Sequence, residues 1–153
     1  MPELPEVETI RREIDKEFLA KRIKKVEVNG ARTLRRHRSP KEFVERVEGR
    51  RLVSTVRRGK YLMLRLDSDD VVVIHLGMSG QLLRAAPKDP LERHTHVVLS
   101  FAGAPQLRFV DPRTFGELFV TAPDEVEAQV PELAHLGFDP IEEPMPWTRF
   151  AQM

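Results

Sequence analysis

The chain has 153 residues, 41% of them hydrophobic and 32% charged, and no cysteine. That balance supplies one domain with a real core and excludes a disordered chain, disulfides and thiolate metal sites; the missing thiols fit a reducing, cytoplasmic setting. No apolar run approaches the ~18 residues that a membrane-crossing helix needs, and the acidic start is not that of a secretory leader. The net charge of +1 conceals an asymmetry: residues 1–120 carry 24 Lys and Arg against 17 Asp and Glu, whereas 121–143 holds seven acids and neither Lys nor Arg. A basic body beside an acidic stretch points toward a polyanionic partner, although ordinary solvated faces account for the same balance equally well.

The first element is a helix from Pro5 to about Leu19. Proline suits the first turn, where its missing N–H is no loss, and Val7, Ile10, Ile14 and Phe18 form an apolar stripe at helical spacing. Strands follow at Arg22–Val28, Arg51–Arg57, Lys60–Leu66, Val71–Leu76, Gly80–Arg84, His96–Phe101, Gln106–Val110 and Gly116–Val120. They are short, rich in β-branched and aromatic residues, and separated by turn sequences. Between the first two strands, Ser39-Pro40-Lys41-Glu42 reads as a capping box opening a second helix that ends near Gly49. A third short helix is expected to begin at Asp124, with Glu127 three residues on. The pattern predicts a mainly β domain: a two-layer antiparallel β-sandwich of about eight strands with flanking helices, the N-terminal one along its side. Residues 138–153 are proline-rich and unpatterned. They read as the start of an interdomain linker, so that 1–137 form a domain cut from something longer.

Several stretches carry residues with chemical potential. In MPELPEVET, removal of Met1 is expected before a small residue such as proline and leaves Pro2 with a free secondary amine. An N-terminal amine has a reference pKa of about 7.7–8.0, so a useful fraction is neutral and nucleophilic near pH 7. Attack on a carbonyl carbon gives an iminium, cationic at every pH and an electron sink. The plain alternative is that Pro2 merely starts the chain. Glu3 lies beside the amine, where a carboxyl serves as general acid or base. Glu6 and Glu8 fall in the first helical turn, where the helix dipole alone accounts for acids. Lys60, in RRGKYL, heads a strand whose Leu62, Leu64 and Leu66 share its face; it either snorkels at the sheet edge or points into a cleft.

In HLGMSGQ, glycines surround Met78 in a tight turn that presents a flexible apolar side chain. DPRTFG opens a turn at Asp111-Pro112 and presents Arg113 and Phe115. Exposed Met78, Arg113 and Phe115 suit a wedge that enters a base stack. His94 and His96, in RHTHV, stand two apart on a strand with no further ligands nearby; phosphate contact or plain surface suits them better than a metal, and no metal site is expected.

These motifs, together with HLGFDP, occur in the order in which they occur in bacterial formamidopyrimidine-DNA glycosylase, and the chain resembles that family along essentially its whole length. The related endonuclease VIII branch usually has glycine where this chain has Leu4. The resemblance implies a base-excision-repair DNA glycosylase and AP lyase that removes oxidised purines, 8-oxoguanine and formamidopyrimidines, through a proline Schiff base and β/δ elimination. Pro2 is similar in position to the family's nucleophile, Glu3 to its acid and base residue, and Glu6 lies in the same motif. Lys60 matches the lysine that contacts phosphate beside the lesion. Met78, Arg113 and Phe115 match the residues that fill the gap left by the flipped-out base; His94 and Arg113 match DNA-contacting positions, and His75 sits near the DNA backbone. The implied partner is double-stranded DNA containing damaged purines or abasic sites, bound by a monomer in the bacterial cytoplasm at the nucleoid, with no membrane partner. The family's second domain, with its helix–two-turns–helix motif and zinc finger, has no counterpart in this sequence. Zinc is therefore expected only in that domain and no cofactor in this chain, whose activity as a fragment is expected to be reduced. Two rival readings fit parts of the sequence: a non-catalytic DNA-binding remnant, and a tautomerase-like enzyme with proline as general base, which has no use for Met78, Arg113 and Phe115.

Overall fold

The structure, a computed structural model, describes residues 4–58, 61–77, 79–114 and 116–126, with side chains from Val7 onward. Helix α1 spans Leu4–Phe18 and α2 spans Pro40–Val47. Eight strands are β1 Ile23–Val28, β2 Leu52–Arg58, β3 Tyr61–Leu66, β4 Val71–His75, β5 Gln81–Ala85, β6 Thr95–Phe101, β7 Gln106–Val110 and β8 Glu117–Thr121. All eight expected strands are present, with ends within a residue of the sequence reading. They pair antiparallel in two four-stranded sheets, ordered β1-β6-β7-β5 and β2-β3-β4-β8.

The sheets bury their apolar faces against each other, as two half-apolar surfaces must. Alternate residues supply the inner layer: Leu62, Leu64 and Leu66 from β3, Val97, Leu99 and Phe101 from β6. Helix α1 closes one side. Its expected stripe is buried at Val7, Ile14 and Phe18 and partly at Ile10, and the Phe18 and Phe101 rings lie 4.7 Å apart, so the helix reaches both sheets. The second face of the β2-β3-β4-β8 sheet is also covered, with Met63, Val71, Val73 and Phe119 packing with Val126. This is why β3 and β4 carry apolar residues on both faces, Arg65 and His75 apart, rather than alternating.

One local expectation changes, and two short helical segments complete the picture. The capping box does not close: Ser39 makes no side-chain cap, and Glu42 turns to His37, Oε1 to Nδ1 at 2.6 Å. The ring satisfies the carboxylate better than a solvent-exposed helix end does. A 3-10 helix, Ala31–Leu34, occupies a stretch that shows no periodicity in sequence. Near residue 124 the expected helical start is present as a 3-10 turn, Pro123–Glu125, followed by helical Val126, while Glu127 and the 138–153 linker lie outside the described residues. Among the described residues no helix is long and apolar enough to cross a membrane.

Candidate nucleic-acid interface

Strand direction gathers the ends of strands from both sheets at one end of the sandwich. In the second sheet, β2 ends at Arg58 opposite Tyr61, the first residue of β3. Tyr61 pairs with His75, the last of β4, and His75 pairs with Glu117, the first of β8. In the first sheet, Val110 at the end of β7 faces both Gln81 and Thr95, which open β5 and β6. His75, Ser79, His94, Asp111 and Arg113, which border these strand ends, therefore lie at this end; the 86–94 segment leaves β5 at the opposite end and returns here at His94. Helix α1 joins them: the Glu8 carboxylate accepts from Arg57 Nε at 3.1 Å, two residues before the β2–β3 turn.

Glu8 is a shared anion. Arg11 donates from Nη2 at 2.6 Å and from Nε at 3.0 Å, and Arg12 from Nε at 3.0 Å. The Arg11 hydrogen bonds are the largest influence on its carboxyl; burial opposes them, Arg57 and Arg12 add to them, and the pKa is lowered to about 2. The helix dipole alone, the reading from sequence, is too small an account, since charge-assisted bonds from guanidinium groups outweigh it.

Asp111 is the centre of the convergence. It is fully buried. Its Oδ1 accepts from Ser79 Oγ at 2.6 Å and from the Arg113 N–H at 3.1 Å, and its Oδ2 accepts from the Gly116 N–H at 2.7 Å. Its own N–H donates to the His94 carbonyl at 3.1 Å, and its carbonyl lies 2.7 Å from His96 Nε2. A carbonyl only accepts, so that ring nitrogen carries a proton. Burial would raise the Asp111 pKa, but the bonds from Ser79, Gly116, Arg113 and Thr114 prevail and hold it below the usual aspartate range. Gly116 fits because its backbone lies against the end of β4: an added Cβ would stand 2.6 Å from the His75 carbonyl oxygen and 2.9 Å from that of Leu76. Two non-glycine residues of this end take left-handed backbone, His94 at φ 64° and Thr114 at φ 54°. For a β-branched residue this is a strained choice, tolerated where surrounding bonds over-determine it.

Arginines flank the same end. Arg35 donates to the Gly116 carbonyl at 3.0 Å and pairs with Glu117 at 3.1 Å, Arg36 also pairs with Glu117, and the Arg36 guanidinium lies 4.7 Å from the Phe119 ring centroid.

His75, His94 and Arg113 are thus at one end, His94 and Arg113 exposed and His75 half-buried with its ring stacked on Tyr61 at 4.6 Å. Two expectations about the histidines are corrected. They do not share a strand, since His94 precedes β6 in a turn. Nor is His96 plain surface, because its ring is committed to Asp111; adding a Cβ at Gly30 would meet its Nδ1 at 2.3 Å, so the ring also fills the approach to residue 30. Among the described residues no group of three or more His, Asp or Glu side chains is arranged to hold a metal ion. The sequence reading missed Asp111, Ser79, Gly116, Arg35 and Arg57. The available signal was Asp111 within DPRTFG, an aspartate whose side chain suits bonding to backbone N–H groups just ahead of it. The expectations for Pro2, Glu3, Lys60, Met78 and Phe115, and for the Glu6 side chain, lie outside the described residues.

Fold and site together define a class: a helix-flanked antiparallel β-sandwich with buried polar cross-links organising one turn-rich end. The family model for the formamidopyrimidine-DNA glycosylase N-terminal domain matches residues 1–118. Formamidopyrimidine-DNA glycosylases of Nocardioides sp. and Salinispora arenicola are 46% and 47% identical over 146 and 145 residues, 93% of this chain in each case and 49% and 50% of theirs. Among solved structures, the Lactococcus lactis enzyme bound to abasic-site DNA superimposes with a TM-score of 0.78 at 30% identity, covering 86% of this chain and 48% of that one. The same enzyme with a Fapy-dG-containing DNA gives 0.77 at 31%, covering 85% and 48%. The chain belongs to the formamidopyrimidine-DNA glycosylase family, matching its N-terminal domain. It spans about half the length of the curated relatives it matches.

Proposed function

We propose that this chain forms the catalytic half of a base-excision DNA glycosylase with AP lyase activity, its partner being duplex DNA that contains oxidised purines or abasic sites. The observation that carries the reading is a convergence among the described residues: β2, β4 and β7 end, and β3, β5, β6 and β8 begin, at one end of the sandwich, where His75, His94 and Arg113 lie, and Glu8–Arg57 ties the early part of α1 to it. An amine, a carboxyl, a phosphate-binding cation and gap-filling side chains must meet one nucleotide, and a single end is what such a set needs.

In this reading the neutral Pro2 amine attacks C1′ of the damaged nucleotide. The N–C1′ bond forms as the glycosidic bond breaks, and the base leaves after accepting a proton from a carboxylic acid. Opening of the sugar ring gives the iminium, with Glu3 moving the proton to and from O4′. The cationic nitrogen acidifies the C2′ proton; its removal expels the 3′-phosphate. Loss of the C4′ proton and the 5′-phosphate follows, and water hydrolyses the imine to restore the amine. Lys60 contacts the phosphate beside the lesion and offsets its charge. Met78, Arg113 and Phe115 occupy the space vacated by the extruded base, which offsets part of the few kcal/mol that unstacking costs.

The reading is tested by borohydride trapping of residues 1–153 on duplex DNA with one abasic site, alongside mass spectrometry of the N-terminus. A trapped covalent complex is expected from the species lacking Met1, and much less from Pro2→Gly. Equal trapping by Pro2→Gly overturns the assignment of proline as nucleophile. DNA binding without any trapping supports the non-catalytic remnant instead. Because the family's relatives are twice this length, excision of 8-oxoguanine is expected to be weaker than attack on an abasic site, which requires no base to be unpaired.

A further inference from the structure

We propose that Asp111 is a positioning residue that locks the 76–80 turn, the 111–116 turn and the approach to β6 at His94 into one rigid DNA-facing rim. The assignment rests on the functional reading above. Each polar atom of Asp111 is used, and its partners come from different parts of the chain: Ser79 from one turn, Arg113 and Gly116 from a second, His94 from the turn before β6 and His96 from β6 itself. A residue that only capped its own turn would have no need of Ser79, 32 positions away. The chemistry also selects the residue. Oδ1 and Oδ2 both accept from backbone N–H groups, Arg113 on one and Gly116 on the other. Asparagine in either flip sets its NH2 donor against one of those donors, so only a carboxylate satisfies the set. The rim needs such a lock because its backbone is not at rest: Thr114 is held in the left-handed region, and its N–H reaches the Asp111 carbonyl at 3.3 Å.

The sign of the effect on DNA binding separates positioning from electrostatics. DNA is a polyanion, so removing a carboxylate on charge grounds alone strengthens binding. Loosened turns weaken it, since displacing a side chain by about 1 Å costs up to ~100-fold in an oriented site.

Two arms test the proposal in residues 1–153: amide hydrogen exchange of the free protein, and affinity for a duplex carrying a tetrahydrofuran abasic analogue. In Asp111→Asn, exchange at Gly116 and Arg113 is expected to accelerate at least about tenfold, and binding to weaken by roughly tenfold. Ser79→Ala alters no charge, keeps both amide bonds and gives a milder variant should Asp111→Asn fail to fold; about threefold weaker binding is expected. Unchanged exchange in Asp111→Asn shows that the carboxylate does not hold the turns. Faster exchange with unchanged or tighter DNA binding, in Asp111→Asn or with no loss in Ser79→Ala, shows that the hold does not serve DNA; either result overturns the proposal. A wild-type chain that neither binds nor traps abasic duplex instead defeats the functional reading, and exchange then decides whether Asp111 holds the rim.

Discussion

Arg108 and Asp111, three residues apart at the end of β7, are both buried ionised side chains with hydrogen bonds on all sides, yet they organise the molecule differently. The Arg108 guanidinium donates to the carbonyls of Ala86, Asp89 and Pro90 and to Gln106 Oε1, so it staples one loop to its own strand. The Asp111 carboxylate joins two turns, and its backbone joins them to a third segment. A buried ion bonded within one loop contributes stability there. One shared between connections fixes their relative geometry, which matters where several side chains must meet one nucleotide.

The strongest way to break the comparison is to remove each ion. Arg108→Leu and Asp111→Asn are each expected to cost about 3 kcal/mol in urea unfolding, because buried polar partners are left unsatisfied. Only Asp111→Asn should weaken abasic-duplex binding; an equal loss in Arg108→Leu would erase the distinction. Next in size, Glu8→Gln removes the anion shared by Arg11, Arg12 and Arg57 and should cost about 2 kcal/mol. Its pH signature has a definite sign. The Glu8 pKa is lowered from 4.5 to about 2 in the folded state, so its contribution is full above 4.5 and is lost as pH falls through about 2. Asp111, also depressed, acts in the same direction. Thermal unfolding from pH 5 to 2 should therefore show a steep acid loss that is shallower in Glu8→Gln; parallel curves would place the acid sensitivity elsewhere.

Gly116→Ala tests the seam between β4 and β8. The new methyl meets two backbone carbonyls and, at 2.8 Å, the buried Phe109 ring, and a cost of about 1–3 kcal/mol is expected, with a fall in Tm. The smallest effect belongs to Thr114→Asn. Asparagine tolerates the left-handed conformation that threonine resists, so stability should hold or rise by up to ~1 kcal/mol. A clear loss would mean that the Thr114 hydroxyl bond to the Arg113 carbonyl outweighs the strain.

The same contrast explains what was legible in the sequence. The strands were, because short segments with apolar residues on at least one face, most of them rich in β-branched or aromatic residues, stand between turn signals, and β7 was placed to the residue at Gln106–Val110. The α1 stripe was legible for the same reason at period 3.6. Local patterns report which face is buried, not which partner a polar group finds. Ser39 and Glu42 matched a capping box, yet Glu42 is bonded to His37. Asp111 read as the start of an Asp-Pro turn, because nothing near it in sequence announces Ser79. His94 and His96 read as a strand pair, although His94 belongs to the turn before β6, which begins at Thr95. The gathering of turns at one end follows from strand order, which local periodicity does not contain.

The proposed function stands on attack by the Pro2 amine on a sugar carbon in DNA. Its most direct test is peptide mapping of the borohydride-reduced complex between residues 1–153 and abasic duplex. The account predicts the deoxyribose adduct on the N-terminal peptide, at the nitrogen of Pro2, in a chain that has lost Met1. An adduct on Lys60 or another lysine, with the N-terminal peptide unmodified, would contradict it.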